Sequence, residues 1–493
     1  MSVILTWIVF LPLLFGLAMW LVRVRFEWLR IGALLSGLLV LGLTLLVAAS
    51  FDPYAGGMQF VRHLPWIESY GISYYLGVDA LNLVLLLLTS LLIPLLHLYM
   101  WNYREKGYWY NLLLLQSGVT GAILSLDLIL FYLFWETMLL PIFIMIGRYG
   151  HGMQHFNAMK ILLMTVLGSM AMLFSILYLG YEYYSLHGVW SFAYDRLAGM
   201  EHATGAALWL TAGFLLAFAI KIPLPGFHTW MAPAYASAPT PALVILSAIM
   251  AKLGAYGLWR FGYGLFPRTL AEYAPWLLAL GIGGMVYFAL RAVMEQDLRR
   301  MFAFSSGSHL SLIAAAVVMA NLYAWSGALY LIAAHALASS GIFLMIGMLY
   351  RRSGSVRIAD LGGIASRAPR FAFLFTLFAL GIAGVPGTGG FVGELLIILG
   401  GFTYTPALGF ATALTMLAAI LFVFWMLQRV LFGTPADPGG SFRDLSLREL
   451  GLLLPLAGLL ILTGVAPSLF TPLFEPQLQQ MLAHLAATLS GGV

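Results

Sequence analysis

The chain has 493 residues, 62% of them hydrophobic and 9% charged, with no cysteine and a formal net charge of +5. Soluble globular proteins carry about 25% charged residues, so a water-soluble, disordered or disulfide-rich secreted chain is excluded and a multi-spanning membrane protein remains. Zero cysteine also excludes thiolate-held iron–sulfur clusters, zinc–thiolate sites and cysteine nucleophiles. The cations are scattered between apolar runs rather than gathered on a basic face, which sets nucleic acid aside.

A helix needs about 20 mostly apolar residues to cross the hydrocarbon. Reading between charged and Pro/Gly-rich breaks predicts spans near 3–22, 31–50, 79–101, 109–125, 127–147, 157–180, 206–223, 239–260, 273–292, 301–320, 324–349, 371–400, 405–428 and 449–469. These fourteen predict an all-α polytopic membrane protein. The first span lacks the positive flank and small-residue cleavage site of a signal peptide and is expected to be a permanent helix. The 51–78 interval, with Gly56-Gly57 and the alternating run FVRHLPWIESYGISYY, predicts a small β-hairpin. Asp79 and Asp127 lie near span ends, where a capping or solvated role is expected rather than transport.

The loop cations test the span count, because cytoplasmic loops are enriched in Lys and Arg. With the N-terminus outside, one side holds Arg23, Arg25, Arg30, Arg104, Lys106, Arg148, Arg291, Arg299, Arg300, Arg351, Arg352, Arg357, Arg367, Arg370, Arg429, Arg443 and Arg448, and the other only Arg62, Arg196, Arg260 and Arg268. Both termini are therefore expected on the outer, periplasm-like side of the membrane.

Of the 24 cationic residues only Lys106, Lys160, Lys221 and Lys252 are lysine. Arginine stays charged, whereas a desolvated lysine can give up its proton, so lysines inside apolar runs point to reversible protonation. In the fifth span, FYLFWETMLLPIFIMIG sets Glu136 among aromatic and aliphatic neighbours, where a carboxylate must be paired, hydrated or protonated. A glutamate satisfied by a backbone or Trp partner is the structural alternative. The seventh span ends in AFAIKIPLPGFHTW, where Pro223 and Pro225 break the helix beside Lys221; in lipid such a break is tolerated only where protein or a water-filled cavity satisfies the freed carbonyls. The eighth span places Lys252 near its middle, too deep for easy snorkelling.

The tenth and eleventh spans carry His309 and His335 among Ser and Gly, which leave room for water. Each alone reads as a core histidine, and the two together as relay candidates. The twelfth span is interrupted by GVPGTGG, with Glu394 just beyond. That run is no phosphate cradle, since it lies inside an apolar span and lacks the Lys-Ser/Thr ending. Lys160, near the start of the sixth span, stays open between an interfacial anchor and a relay member.

Interrupted spans seven and twelve, each with one ionisable residue beside the break, point to two inverted five-helix repeats, spans 4–8 and 9–13. Glu136 to His309 and Lys221 to Glu394 are both 173 residues apart, which agrees loosely with such a repeat. The expected organisation is 1–108 (three helices with the outer loop), 109–262 (first repeat), 273–430 (second repeat) and 431–493 (final helix and tail). The series Glu136, Lys221, Lys252, His309, His335 and Glu394 suits protons passing through water chains. Charge pairing of Glu136 with Lys221 would hold both ionised, and separating them would let the lysine donate inward.

The segments FYLFWETMLLP, KIPLPGFHTW, APTPALVILSAIMAKLGAYGLWR, QDLRRMFAFSSGSHL and GVPGTGGFVGE together resemble the antiporter-like subunits of respiratory complex I, shared with Mrp-type cation/proton antiporters. The resemblance runs in consistent order from about residue 75 to 430. Glu394, where the other types of the family typically carry Lys, and WIESYGISYYLGVDALN are similar to the M type, the mitochondrial subunit 4 type. GVDALN and Arg299 depart slightly from the common pattern, and neither touches the proton-carrying series.

The resemblance implies a proton-translocating, non-redox subunit of NADH:quinone oxidoreductase. It makes Glu136 and Lys221 an input pair, Lys252 the central group, His309 and His335 the connecting relay and Glu394 the terminal group. It also implies no cofactor in this chain, with NADH, FMN, iron–sulfur clusters and quinone on partner subunits, and L-type and N-type antiporter-like neighbours in the bilayer. A Na⁺/H⁺ antiporter subunit of Mrp type, or the related subunit of a membrane-bound hydrogenase or photosynthetic complex I, is the alternative. A purely structural scaffold would not need this many buried titratable groups.

Overall fold

The computed structural model describes residues 3–200, 204–434 and 442–491. Its apolar runs are helices. α1 (Ile4–Leu21) and α2 (Phe26–Ala49) lead into the strands β1 (Gln59–Ile67) and β2 (Ile72–Val78), followed by α3 (Ala80–Tyr99), α4 (Lys106–Leu124), α5 (Leu128–Thr137), α6 (Leu139–Tyr149), α7 (Gln154–His187), the single turn α8 (Tyr194–Leu197) and α9 (Thr204–Lys221). Beyond a break come α10 (Met231–Ser237), α11 (Thr240–Ile245), α12 (Ala251–Gly257), α13 (Pro267–Met294), α14 (Leu298–Met319) and α15 (Leu322–Ser353). The chain ends through α16 (Ile364–Arg367), α17 (Pro369–Ile382), α18 (Gly389–Tyr404), α19 (Pro406–Phe432), α20 (Leu447–Val465) and α21 (Glu475–Leu489).

Among the described residues eleven stretches are long and apolar enough to cross a membrane, with Leu128–Tyr149 and Thr240–Tyr263 each counted as one. Three further apolar helices, Gly205–Lys221, Pro369–Ile382 and Gly389–Tyr404, are shorter. Their shortness has a local cause. Pro223 and Pro225 lack the N–H that would continue α9, and Gly384 (φ +63°) and Gly387 (φ +93°) turn left-handed between α17 and α18. The interruption between α5 and α6 has the same kind of origin. Pro141 has no N–H to offer the carbonyl of Thr137, so the ladder is broken one residue beyond Glu136. The 239–260 run holds another irregularity absent from the sequence reading: Leu246–Met250 and Leu258–Tyr263 are π-helical and flank α12.

The chain forms two compact units. The first contains the residues up to Lys221, Leu253–Ala274 and those from Phe474 on; the second contains Ile222–Lys252 and Pro275–Leu473. In the first unit β1 and β2 pair antiparallel, with Arg62 opposite Leu76, His63 opposite Tyr75 and Leu64 opposite Tyr74. The hairpin predicted for 51–78 is therefore present, but it turns at Glu68–Gly71 rather than at Gly56-Gly57. Asp127 caps α5 by accepting from Ile129 N and Leu130 N, and its other oxygen accepts from Ser73 N and Oγ, both at 2.9 Å. One carboxylate thus ties the hairpin to the helix carrying Glu136. Helix α21 belongs to the same unit: Gln477 donates to Gly57 O at 2.8 Å and accepts from Ala80 N at 2.6 Å.

In the second unit α15 is almost wholly buried. It meets α18 backbone to backbone. A Cβ on Gly393 would stand 2.8 Å from Leu331 N, one on Gly400 2.5 Å from Ala324 N, and one on Gly327 2.7 Å from Ile397 N. Small residues on both helices permit this approach, as is usual where helices pack without a hydrophobic driving force.

Candidate functional site

Within the first unit Glu136 and Lys221 come together. Glu136 occupies the last turn of α5, half-buried, with Oε1 buried and no hydrogen-bond partner. The Ser169 hydroxyl of α7 lies beside it, and the charges of Glu136 and Lys221 act on one another. Lys221 is the last residue of α9 and 3% exposed, with Nζ 4.9 Å from the centroid of the buried Trp135 ring. Its place at a helix C-terminus, where unpaired carbonyls give a partial negative charge, and the aromatic face beside it both favour the cation. The prolines that end α9 therefore also help to stabilise the lysine.

Within the second unit the other four residues form one line. Lys252 Nζ donates to Ser247 O at 2.6 Å and meets His335 Nδ1 at 2.8 Å. The His335 and His309 rings lie 5.1 Å apart, inclined at 42°. His309 Nδ1 contacts Ser305 O at 2.8 Å and its Nε2 contacts Glu394 Oε1 at 3.1 Å. All four side chains are at most 2% exposed. These contacts join residues from three helices and the stretch between Leu246 and Gly257, separated by 83 and 85 positions in the chain.

Elementary hydrogen-bond chemistry constrains the protons along this line. A carbonyl only accepts, so the His309 Nδ1 facing Ser305 O must carry a hydrogen. The contact of Nε2 with Glu394 then holds a single proton, either as imidazolium against carboxylate or as imidazole against carboxylic acid. The Lys252–His335 contact has the same property, as ammonium against an Nδ1 acceptor or amine against Nδ1–H. Each contact can hand over one proton by a short displacement. Both nitrogens of His309 are engaged, so passage between the two rings requires a ring rotation or a bridging water. The buried atoms His335 Nε2, Glu394 Oε2, Ser305 Oγ, Ser311 Oγ and Ser326 Oγ lack protein hydrogen-bond partners, and such atoms are the usual binding points of internal water.

Glu394 is seated by the glycine turn. A Cβ on Gly384 would stand 2.6 Å from Glu394 Oε2. Gly384→Ala would also force a left-handed alanine, at a cost of about 1–2 kcal/mol. It is expected to push the carboxylate off His309 without changing any titratable residue, which a shifted carboxyl stretching band in infrared difference spectra of the variant would report.

The first unit also holds a buried charge pair that sequence reasoning missed. Arg260, counted above with the outer-loop cations, is 3% exposed in the second π segment and forms an ion pair with Asp79. Asp79 is the N-cap of α3, as expected, accepting from Leu81 N and Asn82 N. The Arg260 guanidinium also lies over the Tyr256 and Tyr194 rings. Its position inside the apolar run YGLWRFGYGLF was the available signal. Lys160, near the start of α7, is half-exposed, unlike Lys221 and Lys252. Among the described residues no three His, Asp or Glu side chains are grouped as metal ligands.

Fold and site together define a class: a predominantly helical, multi-span membrane protein with broken helices and, inside it, a line of lysine, histidine and glutamate in hydrogen-bond or ring contact. The chain matches the family described as NADH:quinone oxidoreductase/Mrp antiporter, TM, over residues 125–422, a range containing all six titratable residues. With more than half its length matched, the chain belongs to that family. It is 35% identical over 510 residues to the NADH-quinone oxidoreductase subunit M of Pseudomonas aeruginosa, covering 99% of this chain and 100% of that protein. It is 34% identical over 489 residues to the subunit M of Escherichia coli K12, covering 94% of each. A chain of the respiratory complex I from Thermus thermophilus has the same fold, with a TM-score of 0.89 at 28% identity over 98% of this chain and 100% of that one.

Proposed function

We propose that this chain is the M-type proton-translocating membrane subunit of a bacterial NADH:quinone oxidoreductase, moving protons along buried Glu, Lys and His side chains while quinone is reduced on other subunits. The observation that carries the reading is the line Lys252–His335–His309–Glu394, in which consecutive groups are in hydrogen-bond or ring contact. Its subunit M relatives, matched along nearly their whole length, supply the context of a multi-subunit respiratory complex. The chain itself carries no redox group in this reading, and it sits between L-type and N-type antiporter-like neighbours in the inner membrane. It has fourteen spans, two inverted five-helix repeats and both termini on the outer side.

Mechanistically, Glu136 and Lys221 act as an electrostatic switch. While the two charges hold one another, the Lys221 proton is kept; when they separate, the buried ammonium loses its compensation and gives the proton up. The second unit receives a proton at Lys252 and passes it through His335 and His309 to Glu394. An Mrp-type antiporter is the second reading, but within the family resemblance that type carries Lys where this chain has Glu394.

The test is Glu136→Gln in the assembled complex. Proton translocation coupled to NADH:quinone turnover is expected to fall by about tenfold or more, equivalent to about 1.4 kcal/mol in the barrier, with assembly intact. Lys221→Ala should do the same. Wild-type translocation in both variants would sink the reading.

A further inference from the structure

The line from Lys252 to Glu394 describes how a proton leaves Lys252, but not how Lys252 is loaded. Lys252 is fully buried. Its two polar contacts are His335, which lies onward, and the carbonyl of Ser247. Ser247 lies in the π segment Leu246–Met250. In a regular α-helix its carbonyl would be taken by the N–H of residue 251; in the π segment the ladder shifts by one residue, and the side chain of the residue five positions on takes that carbonyl instead.

The other end of Ser247 faces a second group of hydroxyls. Its Oγ is 3.4 Å from Ser306 Oγ on α14, one turn before His309, and both serines are buried. The Tyr235 hydroxyl of α10 lies beside Ser247 without completing a hydrogen bond to it, and is itself fully buried. One residue further along α10, Ala236 O accepts from Arg299 Nη1 at 3.1 Å. The charged and titratable groups around these hydroxyls are thus Lys252 and His335 at one end, His309 beyond His335, and the permanently charged Arg299 at the other. Two buried hydroxyls, those of Tyr235 and Ser306, thus converge on Ser247, the residue whose carbonyl holds the lysine.

We propose that Tyr235, Ser306 and Ser247 form the proton-loading branch of Lys252. A hydroxyl both donates and accepts, so each member takes a proton on its oxygen as it releases its own hydrogen to the next. With water as the carrier to the branch and between Ser247 Oγ and Nζ, one O–H bond forms as each breaks. The last transfer makes the third N–H bond of the Lys252 ammonium, which the Ser247 carbonyl and His335 then hold. No electron moves and the branch returns to its starting composition after each proton.

The inference rests on the reading of Lys252 as a proton carrier, and the test separates the two. Whole complex in proteoliposomes is assayed for translocation against pH in H2O and D2O. Tyr235→Phe combined with Ser306→Ala is expected to slow translocation about fivefold, to make the rate decline with rising pH from about one unit lower, and to raise the solvent isotope effect, because proton uptake becomes limiting. Ser306→Thr, which keeps the hydroxyl, should restore most of the rate. If the double variant does not assemble, Ser306→Ala alone should shift the pH profile in the same direction by a smaller amount. A wild-type rate and pH profile in these variants, with Lys252→Ala inactive, would overturn the branch and leave the carrier intact. Full translocation by Lys252→Ala would overturn both.

Discussion

Lys252→Met is expected to lower proton translocation by about a hundredfold, the lower end of what a positioned acid–base group contributes, while the complex still assembles. Methionine fills a similar volume without a charge, so the interior is not left with a large cavity. What is lost is the group that both accepts a proton and faces His335 Nδ1 at 2.8 Å. Lys252→Arg sharpens the result. It keeps the positive charge but cannot release a proton, so it should translocate no better than the methionine variant. Pumping by the arginine variant at near wild-type rate, measured in proteoliposomes during NADH:quinone turnover, would mean that Lys252 supplies a static charge only.

The second large effect concerns stability rather than transport. Arg260→Met leaves the Asp79 carboxylate buried without its counter-charge, and removing one partner of a buried pair typically costs about 3–5 kcal/mol. The complex should lose thermal stability or fail to retain this subunit. Adding Asp79→Asn should recover most of the loss. Asparagine keeps the oxygen that accepts from Leu81 N and Asn82 N and is as good an N-cap as aspartate, but carries no charge to be stranded. A double variant no more stable than Arg260→Met would show that Arg260 acts through its packing on Tyr194 and Tyr256 instead.

Much of the site was legible in the chain because it contradicts its surroundings. A lysine, histidine or glutamate inside an apolar run is expensive wherever the fold places it, so Glu136, Lys221, Lys252, His309, His335 and Glu394 stand out without coordinates. The breaks beside Lys221 and Glu394 were equally visible, since proline and left-handed glycine act on the backbone locally. Arg260 was hidden by the opposite circumstance. Near a span end it reads as an ordinary loop cation, and its partner Asp79 lies 181 residues away. The hydroxyls of Tyr235, Ser247 and Ser306 carry no such penalty in sequence and attract notice only once they are seen together.

Composition and local pattern by themselves determined the membrane class, the breaks beside Lys221 and Glu394 and the identities of the titratable groups inside apolar runs, because each follows from the cost of exposing backbone or charge to lipid. Which of those groups touch was decided by tertiary structure alone. Periodicity assigns a face to a residue but not the helix it meets. The left-handed turn at Gly384 had to leave room for the Glu394 carboxylate that reaches His309, and the π segment had to leave the Ser247 carbonyl to the Lys252 side chain.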